Sequence, residues 1–463
     1  MMIFVYILTG LLGAFCLIRY PAYTWLLVAI ITLQSFFRLI NMDLVFFVPV
    51  ISGVSLNFTD FMSLSAMLLL FFKGRNLGLS KQLRVLLYFF GISVIVVAVY
   101  SFLVLDASLG LVGNRFRSYM VYFMIPAIIL LLREEKRFDY FIMTLMIISV
   151  AVVLVQVVEY SRGQPFIISG GLVLAKHALQ FGQYEGVSRV WNRAMPAVMV
   201  IYAISVMGVF LDDKKRWLYG MLLVAGGIAI VLSLTRTLFI YGISVFLFSV
   251  VLISLKKSSN IMKGLMPAVV LISIIISVIH FSGFGDITSA VGARFGTIAP
   301  ALFDENATSS MDAREEQFNQ IIEYIRKSNI PPIFGVGITD SSIRAYTSDL
   351  GYINIVVNMG ILGLFILIGW FYYMFTMSVR LWRMAETVKQ KIVSGSVLVS
   401  IPGIMFTGIN FDYFTGTYYF WLVAATVMLE SISYQIASNK QPVNSQHQYI
   451  SDSKGFIRKR VSI

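Results

Sequence analysis

One stretch of the sequence decides the fold class. Residues 217–255 read WLYGMLLVAGGIAIVLSLTRTLFIYGISVFLFSVVLISL, and Arg236 is their single charged residue. A helix of about 20 apolar residues crosses a bilayer, so this stretch is long enough for two crossings. It therefore predicts two membrane-spanning helices that are joined by a tight turn at Thr235-Arg236-Thr237.

The same composition extends along nearly the whole chain. Of its 463 residues, 58% are hydrophobic and 13% are charged, against about 25% charged residues in a soluble domain. The aromatic content excludes a disordered chain, and Cys16 as the single cysteine excludes an internal disulfide. We predict an all-α, polytopic integral membrane protein with about 13 transmembrane helices, within a range of about 12 to 14.

Candidate spans follow from the apolar runs between short polar breaks. At the N-terminus, 2–18 and 22–40 are expected to be spans. Gly53 and nearby polar residues interrupt 44–72, which is expected to form a short re-entrant piece and one helix. The remaining candidate spans are 83–105, 119–132, 138–158, 194–211, 217–234, 237–255, 265–281, 350–376, 392–410 and 417–434.

The distribution of Lys and Arg predicts the orientation, because cytoplasmic loops carry an excess of these residues. Six polar segments hold 22 of the 36 basic residues, and we assign them to the cytoplasm. These segments are 73–84, 133–137, 212–216, 256–263, 380–391 and the tail from 440 onward. The segments expected on the far side are 106–118, 159–193, 235–236, 282–349 and 411–416.

The far-side segments favour arginine over lysine. Of their 12 basic residues, ten are arginine and two are lysine. Topology alone gives no reason for this preference, whereas anion binding does, because a guanidinium group holds phosphate or carboxylate with two parallel hydrogen bonds. The alternative is that these arginines form surface ion pairs with far-side acids. Those acids include Asp304, Glu305, Asp312, Glu315, Glu316 and Glu323.

The segment 282–349 is the largest soluble element that the sequence predicts. Asp312 and Glu315 form a capping box, and apolar residues follow at helical spacing, which predicts an amphipathic helix of about 15 residues ending at Asn329. Arg314 lies in its first turn, where the helix dipole opposes a cation. The sequence 334–338 then reads FGVGI, a turn whose backbone can approach a ligand closely.

At this point two interpretations are open for Arg236 and for the pair Arg115 and Arg117. Arg236 can contact a ligand or extend to phospholipid head groups. Arg115 and Arg117, which flank Phe116 just before a predicted span, are equally open.

The inventory of other site chemistry is short. His177 lies in a predicted outer loop, His280 at the end of a predicted span and His447 in the predicted cytoplasmic tail, so they cannot form a common metal site, and no Asp-x-Asp pair is present. We therefore expect no metal site and no cofactor. The chain has no phosphate-binding loop of the Walker type, which excludes ATP-driven transport within it. Nucleic acid is not an expected partner, because the net charge of +13 follows mostly from topology.

The order of the far-side motifs resembles the bacterial O-antigen polymerase and O-antigen ligase superfamily. The resemblance covers about two thirds of the chain, and no single motif is specific by itself. The motifs are the tip Ser233–Thr237, Arg314 at a helix start, Pro332–Gly337, Asp349–Ile353, Asn358–Gly363 and, more loosely, Arg189–Asn192. In the ligase branch a histidine is expected just before the Asn-x-Gly-Ile-Leu-Gly helix, where this chain has Asp349. This difference favours a polymerase of oligosaccharide repeat units.

The resemblance implies a glycosyltransferase of the GT-C type, acting on glycans carried by undecaprenyl diphosphate at the periplasmic face of the inner membrane. Within it, we expect Arg236 and Arg314 to stabilise the leaving diphosphate, with Arg189 and Arg294 as supporting cations. Asp349 is the expected general base, with a helix N-cap as its alternative role and Glu185 as the second choice. The further expected substrate contacts are Arg115, Arg117, Gly335 and Gly337.

The resemblance also implies the partners, and the predicted topology gives the domain organisation. The partners are the lipid-linked oligosaccharide and membrane lipid, and a chain-length regulator protein is left open as a third. Alternative functions are an O-antigen ligase acting on lipid A core, and a lipid-linked glycan flippase or transporter. The expected organisation is N-terminal transmembrane helices in 1–281, a periplasmic loop in 282–349, C-terminal transmembrane helices in 350–434 and a cytoplasmic basic tail in 435–463.

Overall fold

The fold is described by a computed structural model. The described residues are 48–51, 54–56, 70, 78–162, 182–184, 187–189, 195–254, 316, 318–323, 333–335, 337, 351–409 and 419–439.

Most of the described residues are helical. The helices are α1 Lys81–Leu103, α2 Leu109–Phe123, α3 Ile125–Leu131, α4 Glu135–Arg162, α5 Met195–Leu211, α6 Arg216–Leu232, α7 Arg236–Ser254, α8 Gly351–Met384, α9 Val388–Thr407 and α10 Tyr419–Asn439. Two short antiparallel hairpins accompany them, β1 Val48–Ile51 with β2 Val54–Leu56, and β3 Gly182–Tyr184 with β4 Val187–Arg189. The helical bundle agrees with the prediction of an all-α membrane protein, and among the described residues these two short hairpins are its only strands.

Six of these helices are long and apolar enough to cross a membrane, namely α1, α4, α7, α8, α9 and α10. The shorter apolar helices α5 and α6 pack beside them. A helical, membrane-embedded protein is therefore confirmed. The predicted count of about 13 helices is not tested, because several of the predicted spans lie outside the described residues.

The helix directions alternate, which gives the bundle two distinct ends. We call the end that holds the starts of α1, α4, α6 and α9 the basic end, and the opposite end the loop end. At the basic end, Lys389 Nζ lies 2.9 Å from Glu135 Oε1 and 2.6 Å from Asp139 Oδ1. At the loop end, the N–H of Gly351 donates to the carbonyl of Ile409 over 2.9 Å. This is the alternation that the apolar runs and basic segments predict.

One predicted loop is in fact helical. The segment 106–118 was expected to be a far-side loop, but α2 begins at Leu109, where the Ser108 hydroxyl accepts from the N–H of Leu111 over 3.3 Å. A serine N-cap starts the helix before its apolar part, so Arg115 and Arg117 lie inside α2 and not ahead of it. The predicted span 119–132 is also divided, because α2 ends at Phe123 and α3 begins at Ile125.

Aromatic packing holds one side of the bundle together. Phe90 of α1, Tyr122 of α2 and Trp370 of α8 are buried with ring centroids 4.8 to 5.8 Å apart. Trp370 Nε1 also donates to Thr426 Oγ1 of α10 over 2.9 Å. Aromatic contacts add about 0.5–1.5 kcal/mol each beyond their buried area. These contacts fix α1, α2, α8 and α10 relative to one another.

Polar contacts join the helices on the other side. The hydroxyl of Tyr241 on α7 donates to the carbonyl of Met199 on α5 over 2.8 Å and lies 3.2 Å from Ser400 Oγ on α9. Gly403 of α9 faces Tyr241, and a Cβ there would lie 2.8 Å from the tyrosine ring. Small residues at such crossings let membrane helices approach closely. Helix α9 therefore packs directly against the helix that begins with Arg236.

Candidate functional site

The turn between α6 and α7 places Arg236 at the loop end. Residues 233–235 form it, and their hydroxyl groups bond within the turn. Ser233 Oγ donates to the carbonyl of Ile230 over 2.6 Å, and Thr235 Oγ1 donates to the carbonyl of Ser233 over 3.0 Å. The N–H of Thr235 donates to Ser233 Oγ over 3.3 Å. Short polar side chains of this kind stabilise turns by bonding to nearby backbone.

The turn also contains a strained residue. Leu234 has a φ of +45° and is buried. A left-handed conformation costs a leucine about 1–2 kcal/mol, and glycine would avoid that cost. Strained backbone of this kind concentrates at functional sites, where the surrounding structure holds it in place.

The Arg236 side chain is only partly exposed, and one of its donors is buried without a partner. Among the described residues, neither Nε of Arg236 nor Oγ1 of the neighbouring Thr237 has a hydrogen-bond partner, and both atoms are buried. A buried polar atom that lacks a partner costs about 1–3 kcal/mol. Both interpretations of Arg236 stay open, because the Nη atoms of a guanidinium group can reach a head group or a ligand while Nε is buried.

The helix position of Arg236 adds a further cost. Arg236 is the first residue of α7, where the positive end of the helix dipole opposes a cation. A bound anion would reverse both penalties, because it would pair with the guanidinium group and lie at a helix N-terminus. Contact of Arg236 with an anion at the loop end therefore stays a prediction.

The segment around Phe334 forms the second part of the loop end. Phe334 packs on Tyr100 near the end of α1, with ring centroids 5.1 Å apart. Helix α8 is broken at Gly360, which has a φ of +62° and a ψ of −157°. The residues 333–335 lie against this break, and a Cβ on Gly335 would be 2.7 Å from the nitrogen of Gly360. The segment thus packs between α1 and the interruption of α8.

Gly335 and Gly337 are both buried and both have positive φ angles, of +64° and +67°. Their missing side chains leave room for the backbone at 356–360 and for the Ser101 side chain, respectively. Packing therefore explains both glycines, and a direct ligand contact by either of them stays a prediction.

The structure describes the other predicted site residues in part. Arg115 and Arg117 lie on α2, and Arg189 is the last residue of β4, paired with Gly182. The side chains of these three arginines are not among the described atoms. The predicted site residues Arg294, Arg314, Asp349 and Glu185 lie outside the described residues. The three histidines do as well, so the expectation that no metal binds is not tested.

Part of the predicted amphipathic helix is described. Residues 318–323 are helical, as is Glu316, and Ile321 is buried whereas Phe318 is exposed. The amide Nε2 of Gln320 donates to Glu316 Oε1 over 3.2 Å. A helix in this part of the loop is confirmed, and its predicted ends lie outside the described residues.

No family model matches the chain, and no curated protein matches it. The site therefore rests on its own geometry and chemistry.

Two buried acids lie within the helices and were not among the predicted site residues. Glu430 lies within the predicted span 417–434 and is 3% exposed, and Glu159 is fully buried near the loop end of α4. Glu430 Oε2 accepts from the N–H of Ser80 over 3.1 Å, and Oε1 accepts from the hydroxyls of Ser80 and Tyr373. An acid inside an apolar run is itself a signal, because ionisable residues are costly in membrane helices.

Proposed function

We propose that the protein is a membrane glycosyltransferase that polymerises oligosaccharide repeat units carried on undecaprenyl diphosphate. The observation that carries this proposal is the Arg236 turn, in which a strained backbone holds a guanidinium group whose Nε is buried and has no partner among the described residues. The resemblance of the far-side motifs to O-antigen polymerases supplies the identity of the anion.

The proposed reaction places charge where Arg236 can meet it. A hydroxyl of the acceptor sugar attacks the anomeric carbon of the donor, the bond to the lipid diphosphate breaks, and the hydroxyl proton passes to a base. Negative charge then builds on the leaving diphosphate. A fixed donor aimed at that charge contributes about 10²- to 10³-fold in rate. Arg236 is already desolvated at Nε, so it needs little reorganisation to act.

The remaining roles are proposed on sequence grounds. Arg314 joins Arg236 at the diphosphate, and Arg189, Arg294, Arg115 and Arg117 contribute positive charge along the glycan path. Asp349 serves as the base, two residues before Gly351, whose N–H is tied to Ile409 at the loop end. A carboxylate within hydrogen-bond reach of the attacking hydroxyl contributes about 10²- to 10⁴-fold.

The proposal includes the architecture and the location. It places about 13 helices in a GT-C-like arrangement in the inner membrane, with the basic end in the cytoplasm and the loop end in the periplasm. The reaction needs no metal in this scheme, since arginines neutralise the leaving group. A chain-length regulator is a proposed second partner.

Polymerisation by the purified protein tests the proposal directly. We expect protein in lipid nanodiscs to convert a lipid-diphosphate repeat unit into a ladder of longer products. A single transfer to a lipid A core acceptor, without a ladder, would instead identify a ligase. Movement of the lipid across vesicles without any covalent product would identify a flippase.

A further inference from the structure

A cavity of about 300 Å³ lies between α1 and α8 near the basic end, away from Arg236. Its lining consists of Lys81, Gln82, Val85, Gly369, Tyr372 and Tyr373. The volume is at the lower limit of cavities that hold small ligands, which is about 300 Å³. The cavity is almost wholly apolar, so it is a poor place for water.

The cavity opens on an exposed, apolar side of the described bundle. Two of its lining side chains are largely exposed, Val85 at 59% and Tyr372 at 65%. Both belong to helices that are apolar enough to span a membrane. Tyr372 precedes Tyr373, which shares Glu430 with the start of α1, and an exposed tyrosine at that level is typical of the boundary between hydrocarbon and head groups. Acyl chains of the bilayer are therefore the apolar material that can enter the cavity.

The contacts behind the cavity indicate its position along the membrane normal. Ser80, the N-cap of α1, bonds to Glu430, which also accepts from Tyr373 of α8. The start of α1 is thus level with Tyr373, and α8 continues to Met384, about 16 Å further at 1.5 Å per residue. Because Lys81 is the first residue of an apolar helix of 23 residues, we place it at the edge of the hydrocarbon layer, and α8 extends further in the same direction.

The rim of the cavity carries positive charge. Lys81 belongs to the lining, whereas the exposed Arg84, one turn further along α1, does not. In a membrane, a cation at the edge of the hydrocarbon layer attracts an anionic head group, at about 1 kcal/mol per basic residue. A single anionic phospholipid supplies both an acyl chain for the cavity and a negative charge for its rim.

We propose that this cavity binds an anionic phospholipid of the membrane leaflet at the basic end. One acyl chain lies against Val85, Gly369 and Tyr372, and the head-group phosphate pairs with the Lys81 ammonium. The floor is rigid, because the hydroxyl of Tyr373 is held by Glu430 over 2.7 Å. This site is independent of the polymerase proposal, and its failure would leave that proposal unchanged.

Native mass spectrometry of the full-length protein tests the site. The protein is incubated with equal amounts of phosphatidylglycerol and phosphatidylcholine, partly delipidated and weighed. We expect wild type to retain phosphatidylglycerol in preference to phosphatidylcholine, and Lys81→Gln to lower that retention about fivefold, the factor that corresponds to one cation near an anionic surface. Arg84→Gln is the matched control, because it removes a nearby cation outside the lining, and it should keep the retained lipid.

Substitutions that fill the cavity provide a second test of the proposed lipid site. Val85→Trp and Gly369→Leu should each displace the lipid, and Val85 is exposed enough that its replacement leaves the packed core intact. Melting temperatures identify any variant that fails to fold. Retention of phosphatidylglycerol by folded Lys81→Gln at the wild-type level would overturn the proposal. A change from dimer to monomer in Val85→Trp or Gly369→Leu would also overturn the proposal, because it would identify a second copy of the chain as the occupant of the cavity.

Discussion

Two arginines open neighbouring apolar helices, yet the structure treats them differently. Arg216 begins α6 at the basic end, and Arg236 begins α7 at the loop end. Arg216 Nε donates to the carbonyl of Val209 over 3.0 Å, and Nη2 pairs with Asp213. Arg236 Nε has no such partner among the described residues. Both arginines are the first residue of their helix, but only the residues before Arg216 supply hydrogen-bond partners to the guanidinium group.

The two turns differ in the residues that precede each arginine. The first contains Asp212 and Asp213, and Asp212 Oδ1 accepts from the N–H groups of Lys214 and Lys215. The second contains Ser233 and Thr235, whose hydroxyls bond to backbone and carry no charge. A carboxylate at the second turn would neutralise Arg236. The second turn has no carboxylate, so any anion that pairs with Arg236 comes from outside that turn.

The largest expected effect comes from replacing Arg236 by lysine, in comparison with the same replacement of Arg216. Arg236→Lys keeps the charge but removes the guanidinium fork, so the polymerisation rate should fall about 10²- to 10³-fold. Arg216→Lys is the matched control and should polymerise at close to the wild-type rate. Ladder formation in nanodiscs measures both variants. Equal losses in the two variants would mean that helix starts in general need arginine, and the comparison would then fail.

The second expected effect concerns two glycines of α8. Gly360 has a backbone conformation that is essentially restricted to glycine, and a Cβ there would overlap the backbone at Ile333. Gly360→Ala should therefore cost about 3 kcal/mol of stability or displace the segment around Phe334. A Cβ on Gly369 would meet only Leu86, at 3.4 Å, so Gly369→Ala should be tolerated. Unfolding in denaturing detergent measures both, and equal stability would contradict the fixed break in α8.

The third expected effect concerns the buried acid at the basic end. Glu430→Ala would leave the N–H of Ser80 and the hydroxyl of Tyr373 without their acceptor, at a cost of about 2 kcal/mol. Glu430→Gln keeps an acceptor oxygen and should cost less. The free energy of unfolding distinguishes the two substitutions. If both leave it unchanged, Glu430 does not hold α1, α8 and α10 together.

The smallest expected effect comes from Asp213, the partner of Arg216. Its side chain is 77% exposed, and ion pairs at such positions contribute about 0–1 kcal/mol. Asp213→Asn should therefore change the melting temperature very little and leave polymerisation intact. A large loss of activity would show that the basic-end turn takes part in function, which would weaken its use as a reference for Arg236.

The fold was largely predictable from the sequence because its signals are local. Apolar runs and basic breaks predicted the bounds of the helices from α4 to α10 within about five residues, except that α8 ends eight residues after the predicted 376. Hydrophobicity and charge alone largely decide which segments span a bilayer. The start of α2 was missed because the polar cap Ser108 precedes the apolar part of the helix. The hairpin of β3 and β4 was missed because strands of three residues carry too little periodicity.

The site was predictable only in part, because side-chain pairing is not local. The sequence placed Arg236 at a helix tip, but it could not show that Nε lacks a partner within the described part of the chain while the corresponding atom of Arg216 has one. It offered Gly335 and Gly337 as ligand contacts, whereas their buried packing depends on Gly360 and Ser101, which are distant in sequence. The contact of Glu430 with Ser80 spans most of the chain and leaves no pattern in either segment.

Binding of a soluble diphosphate tests the central claim most directly, because it needs neither an acceptor nor turnover. Farnesyl diphosphate is titrated into the protein in nanodiscs, and Kd is compared for wild type, Arg236→Lys and Arg216→Lys. Hydrogen bonds to charged groups contribute about 1.5–3 kcal/mol, so Arg236→Lys should raise Kd about tenfold or more. Arg216→Lys should leave Kd close to the wild-type value. Equal affinity of all three proteins would contradict a diphosphate site at the Arg236 turn.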